Sequence, residues 1–380
     1  MLATVVFLGS FAWSFVYVEL PFYAARLTTY DVGPTLAWTG WILGITSLVS
    51  VVSTPVWGRY SDQHDPRGIL VGMHLFQAIG FLGAAVVRSL PALFLVRCAL
   101  GAVGASATVA FLLAGRIPDP AERRRRLAGI QSANALGSVV GPLGGAVGAS
   151  WLGFRLSFVL GALLLTGCAA LVQWRVVPGA EHTPAPVGRR RLPVRTVALA
   201  AAGVVVGAAH EAFLAAVLPN ILPALGVRPT SMVEVGGLLV FLSGAAAALG
   251  GLAAPRLLEE IPHRRLLPLF LVGSSVGLIA FSVAGSVWVY TALRLLQALC
   301  IAPLFPVVVI RMARHGGGET IGLLNAARSG GNFLGPVVAT SLLASGAPAL
   351  VYIGLGLMGL AVVPLLEGVP GHHRPHSLKG

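Results

Sequence analysis

The sequence predicts an all-α membrane protein in which twelve transmembrane helices form two pseudo-symmetric six-helix bundles. Of its 380 residues, 56% are hydrophobic and 10% are charged, whereas soluble domains carry about 25% charged residues. The apolar segments continue for about 20 residues, the length of a helix that crosses a bilayer, without the alternation of a membrane β-barrel. Landmark residues also recur at about half the chain length, which is typical of two joined halves.

Twelve apolar segments are long enough to be spanning helices. They cover residues 3–25, 36–57, 68–88, 90–115, 127–150, 156–176, 196–218, 231–253, 265–285, 287–312, 320–344 and 348–367. Because the connections are short, neighbouring spans run antiparallel and both termini lie on one side. We divide the chain into an N-terminal bundle, a linker, a C-terminal bundle and a tail, at residues 1–176, 177–195, 196–368 and 369–380.

Several landmarks of the first half return in the second half at a nearly constant distance. The pairs are Gly141-Pro142 with Gly335-Pro336, 194 residues apart, Arg97 with Arg294, 197 apart, and Leu20-Pro21 with Leu218-Pro219, 198 apart. Since each half has an even number of spans, both halves enter the membrane from the same side. The repeats are therefore expected to be parallel.

The net charge of +13 follows the connections and does not form a nucleic-acid-binding patch. Of the 26 lysines and arginines, 19 fall in the even-numbered connections and the tail, and 4 fall in the odd-numbered ones. The remaining three, Arg97, Arg294 and Arg328, lie within spans. By the positive-inside rule, both termini are expected in the cytoplasm of a bacterial-type cytoplasmic membrane.

The composition offers no signature of an enzyme or an ATPase. Lys379 is the only lysine, so a Walker A sequence is absent, and the three cysteines lie in apolar segments without metal-ligand spacing. We find no pairing of a nucleophile with a base. The sequence therefore predicts no enzymatic activity, no cofactor and no metal, and we expect a monomer.

The connection after the second span resembles a motif of the major facilitator superfamily. Residues 58–67 are similar to the family pattern Gly-x-Leu-Ala-Asp-Arg-x-Gly-Arg-Lys, with Gly58, Asp62 and Arg67 at matching positions. Gln63 and Asp65 replace the usual Arg and Gly. The resemblance implies that these three residues act in gating. It also implies that Asp62 contacts the start of the eleventh span and latches the cytoplasmic face shut.

Two spans carry further motifs of this family. Residues 97–104 are similar to the fourth-span pattern Arg-x-x-Gln-Gly-x-Gly, with Leu100 in place of Gln. Residues 137–145 resemble the fifth-span motif of the drug:proton antiporter branch. The residues expected to bend or gate the spans are Gly137, Gly141, Pro142, Gly145, Arg294, Gly335 and Pro336. The resemblance implies a proton-coupled exporter on the major facilitator fold.

Arg97 and two intramembrane carboxylates are the candidates for proton coupling. The family assigns Arg97 a role in coupling, although a structural hub bonded to backbone carbonyls is an equal alternative. Glu211 and Glu19 lie in apolar segments, where a charged carboxylate is costly and such groups are functional by default. Glu211 lies deeper and is the first candidate, with His210 as a second titratable group. An interfacial ion pair with Arg26 is the alternative for Glu19.

Other polar and aromatic residues within the spans are expected to line a substrate cavity. These are Trp13, Tyr17, Gln131, Asn134, Asn325 and Asn332. Arg328, nearer the cytoplasmic end of its span, is expected to be structural.

The sequence therefore predicts a proton-coupled secondary transporter that moves a small lipophilic molecule outward by alternating access. Its partners are the substrate, protons and the lipid bilayer. A symporter or uniporter for uptake on the same fold is the first alternative. The permease subunit of an ATP-driven complex and a membrane-embedded enzyme are further alternatives, and the sequence leaves the substrate unnamed.

Overall fold

The computed structural model describes residues 1–176, 193–260, 263–313 and 318–367. These residues form fourteen α-helices and no strand. The first seven are α1 (Leu2–Leu27), α2 (Val32–Gln63), α3 (Pro66–Val86), α4 (Leu90–Ala102), α5 (Ser106–Gly115), α6 (Pro120–Leu152) and α7 (Phe154–Arg175). The others are α8 (Val194–Ala224), α9 (Met232–Glu260), α10 (His263–Ala280), α11 (Val287–Ile301), α12 (Leu304–Ala313), α13 (Gly318–Ala344) and α14 (Pro348–Glu367).

The predicted fold class is confirmed, and each predicted span corresponds to one helix or to a broken pair of helices. Within the described residues, eleven spans have the length and apolar composition needed to cross a membrane. The span outside that group is α13, which carries Asn325, Arg328 and Asn332. The predicted linker falls almost entirely on residues 177–192, and the predicted tail on residues 368–380, which lie outside the described parts of the chain.

The fourth and tenth spans are each broken into two helices, which the sequence analysis did not predict. Between α4 and α5, the chain turns at residues 103–105, and side chains from neighbouring helices bond the freed carbonyls. Ser53 Oγ donates to Gly101 O at 2.9 Å, and Gln77 Nε2 donates to Val103 O at 2.8 Å. Such bonds are required where a helix is interrupted inside a bilayer. Between α11 and α12, Pro303 lacks the backbone N–H that would continue the helix.

Glycines let two pairs of helices pack with their backbones in close contact. In α6, a methyl group at Gly137 would lie 2.5 Å from Phe7 O of α1, and one at Gly141 would lie 2.8 Å from Phe11 O. In α13, a methyl group at Gly335 would lie 2.6 Å from Ala209 O of α8. Small residues permit this approach between membrane helices. The two helix pairs occupy equivalent places in the repeats, because Ala209 follows Phe11 by 198 residues, the distance between the Leu-Pro landmarks.

The two halves pack together on the side of the bundle opposite the chain termini. There α2 lies against α13 and α6 lies against α9. A methyl group at Gly44 would lie 2.8 Å from Phe333 O, and one at Gly237 would lie 2.9 Å from Pro142 O. The Trp41 and Phe333 rings also meet, with centroids 5.3 Å apart. These contacts close that side of the interface between the halves.

The close packing of α1 on α6 predicts a position-specific effect of added volume. We expect Gly141→Val to lower the free energy of unfolding by about 1–3 kcal/mol, because the new side chain meets the α1 backbone. Gly129→Val is the matched control, since it lies on the same helix and an added Cβ there meets open space. Thermal unfolding of the purified protein measures both. Equal losses in the two variants would contradict the packing account.

Candidate functional site

A cavity of about 610 Å³ lies between the two halves, with walls from α1, α6, α8, α9, α11, α12 and α13. We call it the main cavity. Its wall is largely apolar, and Phe305, Val309 and Ile310 line it from α12, toward the side on which the termini lie. Its polar lining residues are Tyr17, Gln131, Ser138, Glu211, Ser243, Arg294 and Arg328. Two of the predicted cavity residues, Tyr17 and Gln131, are therefore placed here.

An ion pair between Glu211 and Arg328 lies on the wall of the main cavity. Arg328 Nη2 lies 3.5 Å from Glu211 Oε2, and the two side chains are 44% and 28% exposed. The Arg328 guanidinium also stacks over Phe305, 4.6 Å from the ring centroid. A pair this accessible contributes about 0–1 kcal/mol, so protonation or a bound ligand can separate it. The pair bridges α8 and α13.

The sequence predicts a structural role for Arg328, whereas the structure places it on the wall of the main cavity. A usable signal was present in the internal repeat. Arg328 follows Asn134 by 194 residues, the distance that separates the two Gly-Pro landmarks. The residue equivalent to a predicted cavity residue was therefore itself a cavity candidate.

Arg294 holds the backbone beneath Glu211. Its guanidinium is buried and donates to His210 O at 3.1 Å and to Glu211 O at 3.0 Å. It also donates from Nε to Ser243 Oγ at 3.3 Å and from Nη1 to Gln297 Oε1. A buried cation is tolerated only when its donors are satisfied in this way. Arg294 thereby ties α11 to α8 and α9 and holds the backbone from which the Glu211 side chain extends.

His210 lies next to Glu211 in the chain but outside the main cavity. Its ring is fully buried, with Nε2 2.9 Å from Leu355 O and Nδ1 3.0 Å from Ser274 Oγ. Gln297 Nε2 donates to the same Ser274 Oγ at 2.8 Å. A neutral imidazole that donates from Nε2 and accepts at Nδ1 satisfies this network. Of the two neighbours, only Glu211 is presented to the cavity.

Arg97 is buried and its side chain bonds the backbone of α2, a contact that the structural interpretation expects, and its role in coupling stays a prediction. It is 3% exposed and donates from Nε to Ile42 O of α2 at 3.1 Å. Its guanidinium lies 5.7 Å from the Trp13 ring centroid. Thr46 of α2 in turn donates to Arg97 O at 3.0 Å. Arg97 does not line the main cavity.

Glu19 is fully buried, and the expected alternative of an ion pair with Arg26 is wrong. Both carboxyl oxygens lack a hydrogen-bond partner among the described residues, as does the neighbouring Ser157 Oγ. Arg26 instead stacks over Phe154, 4.7 Å from the ring centroid. A charged carboxylate without a partner is costly in such a place, so a neutral carboxylic acid fits the site. Glu19 does not reach the main cavity.

A second cavity of about 350 Å³ is lined mainly by the N-terminal half, with Ser329 from α13, and adjoins the main cavity at Ser138. We call it the hydroxyl-lined cavity. Its polar and aromatic lining residues are Ser10, Trp13, Ser14, Thr46, Ser47, Ser50, His74, Ser106, Asn134, Ser138 and Ser329. The predicted cavity residues Trp13 and Asn134 are placed here.

The remaining predicted cavity residues, Asn325 and Asn332, line neither of these two cavities. Asn325 is exposed, and its Nδ2 donates to Ile321 O of the same helix at 3.1 Å. Asn332 is half-buried. The prediction is not met for these two cavities, because the presence of a polar residue in a span does not determine the direction in which its side chain points.

The motif after the second span lies in a helix and not in a loop, because α2 continues to Gln63. An added Cβ at Gly58 would meet open space, so no neighbouring helix packs closely against this glycine. The side chain of Asp62 lies outside the described parts of the chain. Arg67 Nη2 donates to Gln173 O of α7, within its own half. Arg116 Nη2 donates to Ser61 O at 2.6 Å, a contact that the sequence analysis missed.

Two repeated helical bundles that enclose a partly polar cavity between them define a class of protein, the membrane transporters of small molecules. The family model described as Major Facilitator Superfamily matches residues 2–205 of this chain, more than half of it. The chain therefore belongs to the major facilitator superfamily, and it is a secondary transporter.

Two named transporters are similar to this chain in sequence over most of their length. The uncharacterized MFS-type transporter YuxJ of Bacillus subtilis is 27% identical over 84% of this chain and 84% of its own length. The multidrug resistance protein MdtG of Dickeya zeae is 28% identical over 90% of this chain and 87% of its own.

Solved structures share the fold at low identity. The nucleoside transporter NupG superposes with a TM-score of 0.77 at 13% identity, covering 96% of this chain and 97% of its own. An inward-facing, occupied bacterial homologue of the lysosomal transporter Spinster gives a TM-score of 0.75 at 16% identity, covering 96% of this chain and 93% of its own. At these identities the likeness extends to the fold.

The network around Arg294 predicts that lysine cannot replace it. We expect Arg294→Lys to lower the free energy of unfolding by about 1–3 kcal/mol, because one ammonium leaves buried carbonyl acceptors unpaired. Arg228→Lys, at an exposed position in a connection, is the control and should change little. Thermal unfolding measures both variants. If Arg294→Lys unfolded at the same temperature as wild type, the structural role proposed for the N–H donors of the guanidinium would be contradicted.

Proposed function

We propose that this chain is a proton-coupled exporter of a small lipophilic molecule and that Glu211 is its proton-binding site. The observation that carries the proposal is the carboxylate of Glu211, which lies on the wall of an apolar cavity and pairs there with Arg328 at 3.5 Å. Intramembrane carboxylates that face a cavity are functional by default. This one also lies at the interface where the two halves move in alternating access.

The coupling follows from competition at Glu211. When the carboxylate is charged, it pairs with Arg328. When it is protonated, the pair is lost and α8 and α13 are no longer tied to each other at this point. A substrate that favours the charged carboxylate releases the proton, and a proton from the opposite side displaces the substrate. Each ligand shifts the equilibrium only by its differential affinity for the two conformations.

The direction of transport is inferred from the relatives and from the charge distribution. MdtG is named as a multidrug resistance protein, which favours export of lipophilic compounds by this chain. If both termini are cytoplasmic, as the arginine bias predicts, then the described conformation is closed on the outer side. Such a state would load substrate from the cytoplasm or the inner leaflet.

The other predicted residues take supporting roles in the proposal. Arg97 and Arg294 hold equivalent positions as hubs of the two halves, and the glycines and prolines of α6 and α13 allow close packing during the movement. Asp62 remains a proposed latch of the outward-facing state. Glu19 is a second carboxyl group in the membrane that does not line the main cavity, and His210 serves the C-terminal core. We propose that the transporter acts as a monomer.

The principal alternative is uptake by a symporter or uniporter on the same fold. It differs from export in the sign of the proton effect. An exchanger releases a proton when substrate binds, whereas a symporter takes one up and a uniporter does neither.

Substrate-induced proton release tests the role of Glu211. We expect purified wild-type protein to release protons when a lipophilic substrate is added in weak buffer, and Glu211→Gln to abolish the release while retaining binding. Glu234→Gln, at an exposed position near the start of α9, is the control and should behave as wild type. Proton release that persists in Glu211→Gln, or proton uptake in wild type, would contradict the proposal.

Cysteine labelling of intact cells tests the orientation. In a background with Cys98, Cys168 and Cys300 replaced by alanine, we expect a membrane-impermeant maleimide to label Thr230→Cys but not Gln63→Cys. These exposed residues lie at opposite ends of the spans. Permeabilised cells, where both should react, provide the control. The reverse pattern would place the termini outside.

A further inference from the structure

The hydroxyl-lined cavity differs in chemistry from the main cavity beside it. Its described lining contains no Asp, Glu, Lys or Arg, whereas the main cavity contains Glu211, Arg294 and Arg328. Ser138 lines both cavities, so the two adjoin at this residue. The volume of about 350 Å³ falls within the range of about 300–1,000 Å³ that is usual for small-molecule pockets.

Several polar groups on this wall have hydrogen-bonding capacity that the protein does not use. Ser14, Ser47 and Ser329 have no hydrogen-bond partner among the described residues. Asn134 accepts from Ser10 Oγ at 2.6 Å through Oδ1, which leaves its Nδ2 group as a free donor.

His74 adds a directed acceptor. Its side chain is 3% exposed, and its Nδ1 lies 2.8 Å from Leu70 O. Because a carbonyl can only accept, Nδ1 carries the proton and Nε2 is left as an acceptor. A Cβ at Gly9, which also lines the cavity, would lie 3.4 Å from this Nε2. A buried imidazole thus presents its unpaired nitrogen to the cavity.

The wall therefore offers one acceptor, one amide donor and three hydroxyls that act as both, next to the indole of Trp13. A charged group has no counter-charge here and would lose its hydration without compensation. A group with several hydroxyls can satisfy donors and acceptors together, and its carbon–hydrogen face can lie against an aromatic ring. This combination fits a sugar or a similar polyol.

We propose that the hydroxyl-lined cavity is a subsite for the neutral, hydroxylated part of an amphipathic substrate, such as the sugar of a lipophilic glycoside. The lipophilic part then occupies the main cavity beside Glu211. This inference rests on the proposed function, because it assumes that the main cavity holds the substrate. It narrows the substrate class from lipophilic molecules to lipophilic molecules with a neutral hydrogen-bonding head.

A matched pair of fluorescent ligands tests the subsite. The probes are 4-methylumbelliferyl β-D-glucoside and 7-methoxy-4-methylcoumarin, which have the same ring and carry a sugar or a methyl ether. Binding is measured by calorimetry with protein in lipid nanodiscs, since maltoside detergents would compete for a sugar site. We expect the glucoside to bind wild type more tightly than the ether.

The double variant Ser47→Ala with Asn134→Ala should weaken glucoside binding by about tenfold or more, through the loss of two hydrogen bonds, and change ether binding by less than about twofold. Ser150→Ala with Ser345→Ala, outside both cavities, is the control and should change neither. If the double variant does not fold, Ser47→Ala alone should weaken glucoside binding by about threefold. No glucoside binding to wild type, equal affinity for the two probes, or equal losses for both in the variant would overturn the proposal.

The failure of this inference and of the proposed function can be told apart. If wild type discriminates between the two probes but Glu211→Gln still releases protons, the subsite proposal stands and Glu211 is not the coupling site. Glu211-dependent proton release without discrimination would do the opposite.

Discussion

The buried guanidinium of Arg294 is the constraint on which the candidate site depends. A cation inside the membrane must have its donors accepted by the protein, and Arg294 meets this need through backbone carbonyls of α8 and a hydroxyl of α9. The carbonyls that it bonds belong to His210 and Glu211. The solvation of one charge therefore fixes the backbone that presents the Glu211 carboxylate to the main cavity. Arg328 then meets that carboxylate as a weaker, accessible and reversible partner.

The two halves share a backbone plan and differ in the chemistry that they place on it. Arg97 bonds α2 as Arg294 bonds α8 and α9, and both rest near hydroxyl residues, Thr46 and Ser243, that are 197 residues apart. The positions that face the cavities have diverged. Glu211 stands where the first half has Trp13, and Arg328 stands where it has Asn134, at the distances that separate the repeat landmarks. The ion pair thus lies in the C-terminal half, and the uncharged hydrogen-bonding wall comes mainly from the N-terminal half, with Ser329 added from α13. This division suits proton coupling on one side and recognition of a neutral group on the other.

The sequence predicted the fold well because the bilayer imposes length, hydropathy and charge rules on each span separately. It also named Glu211 as the first candidate for a functional carboxylate, and Glu211 lines the main cavity. It did not predict the break after Ala102, which depends on Ser53, Gln77 and other side chains that reach the freed carbonyls from neighbouring helices. It misjudged Arg328 and the surroundings of Glu19, because both depend on which face of a helix meets which neighbour. A linear pattern gives the depth of a residue in the membrane more readily than its direction around the helix axis.

The most direct test of the account is the infrared spectrum of the protein as the pH is lowered, compared between wild type, Glu211→Gln and Glu19→Gln. If Glu211 binds the proton, a carboxylic acid band appears on acidification in wild type and in Glu19→Gln. The same band is absent from Glu211→Gln. A titrating band that persists in Glu211→Gln and is lost in Glu19→Gln would move the proton site to the buried carboxyl group of α1 and contradict the account.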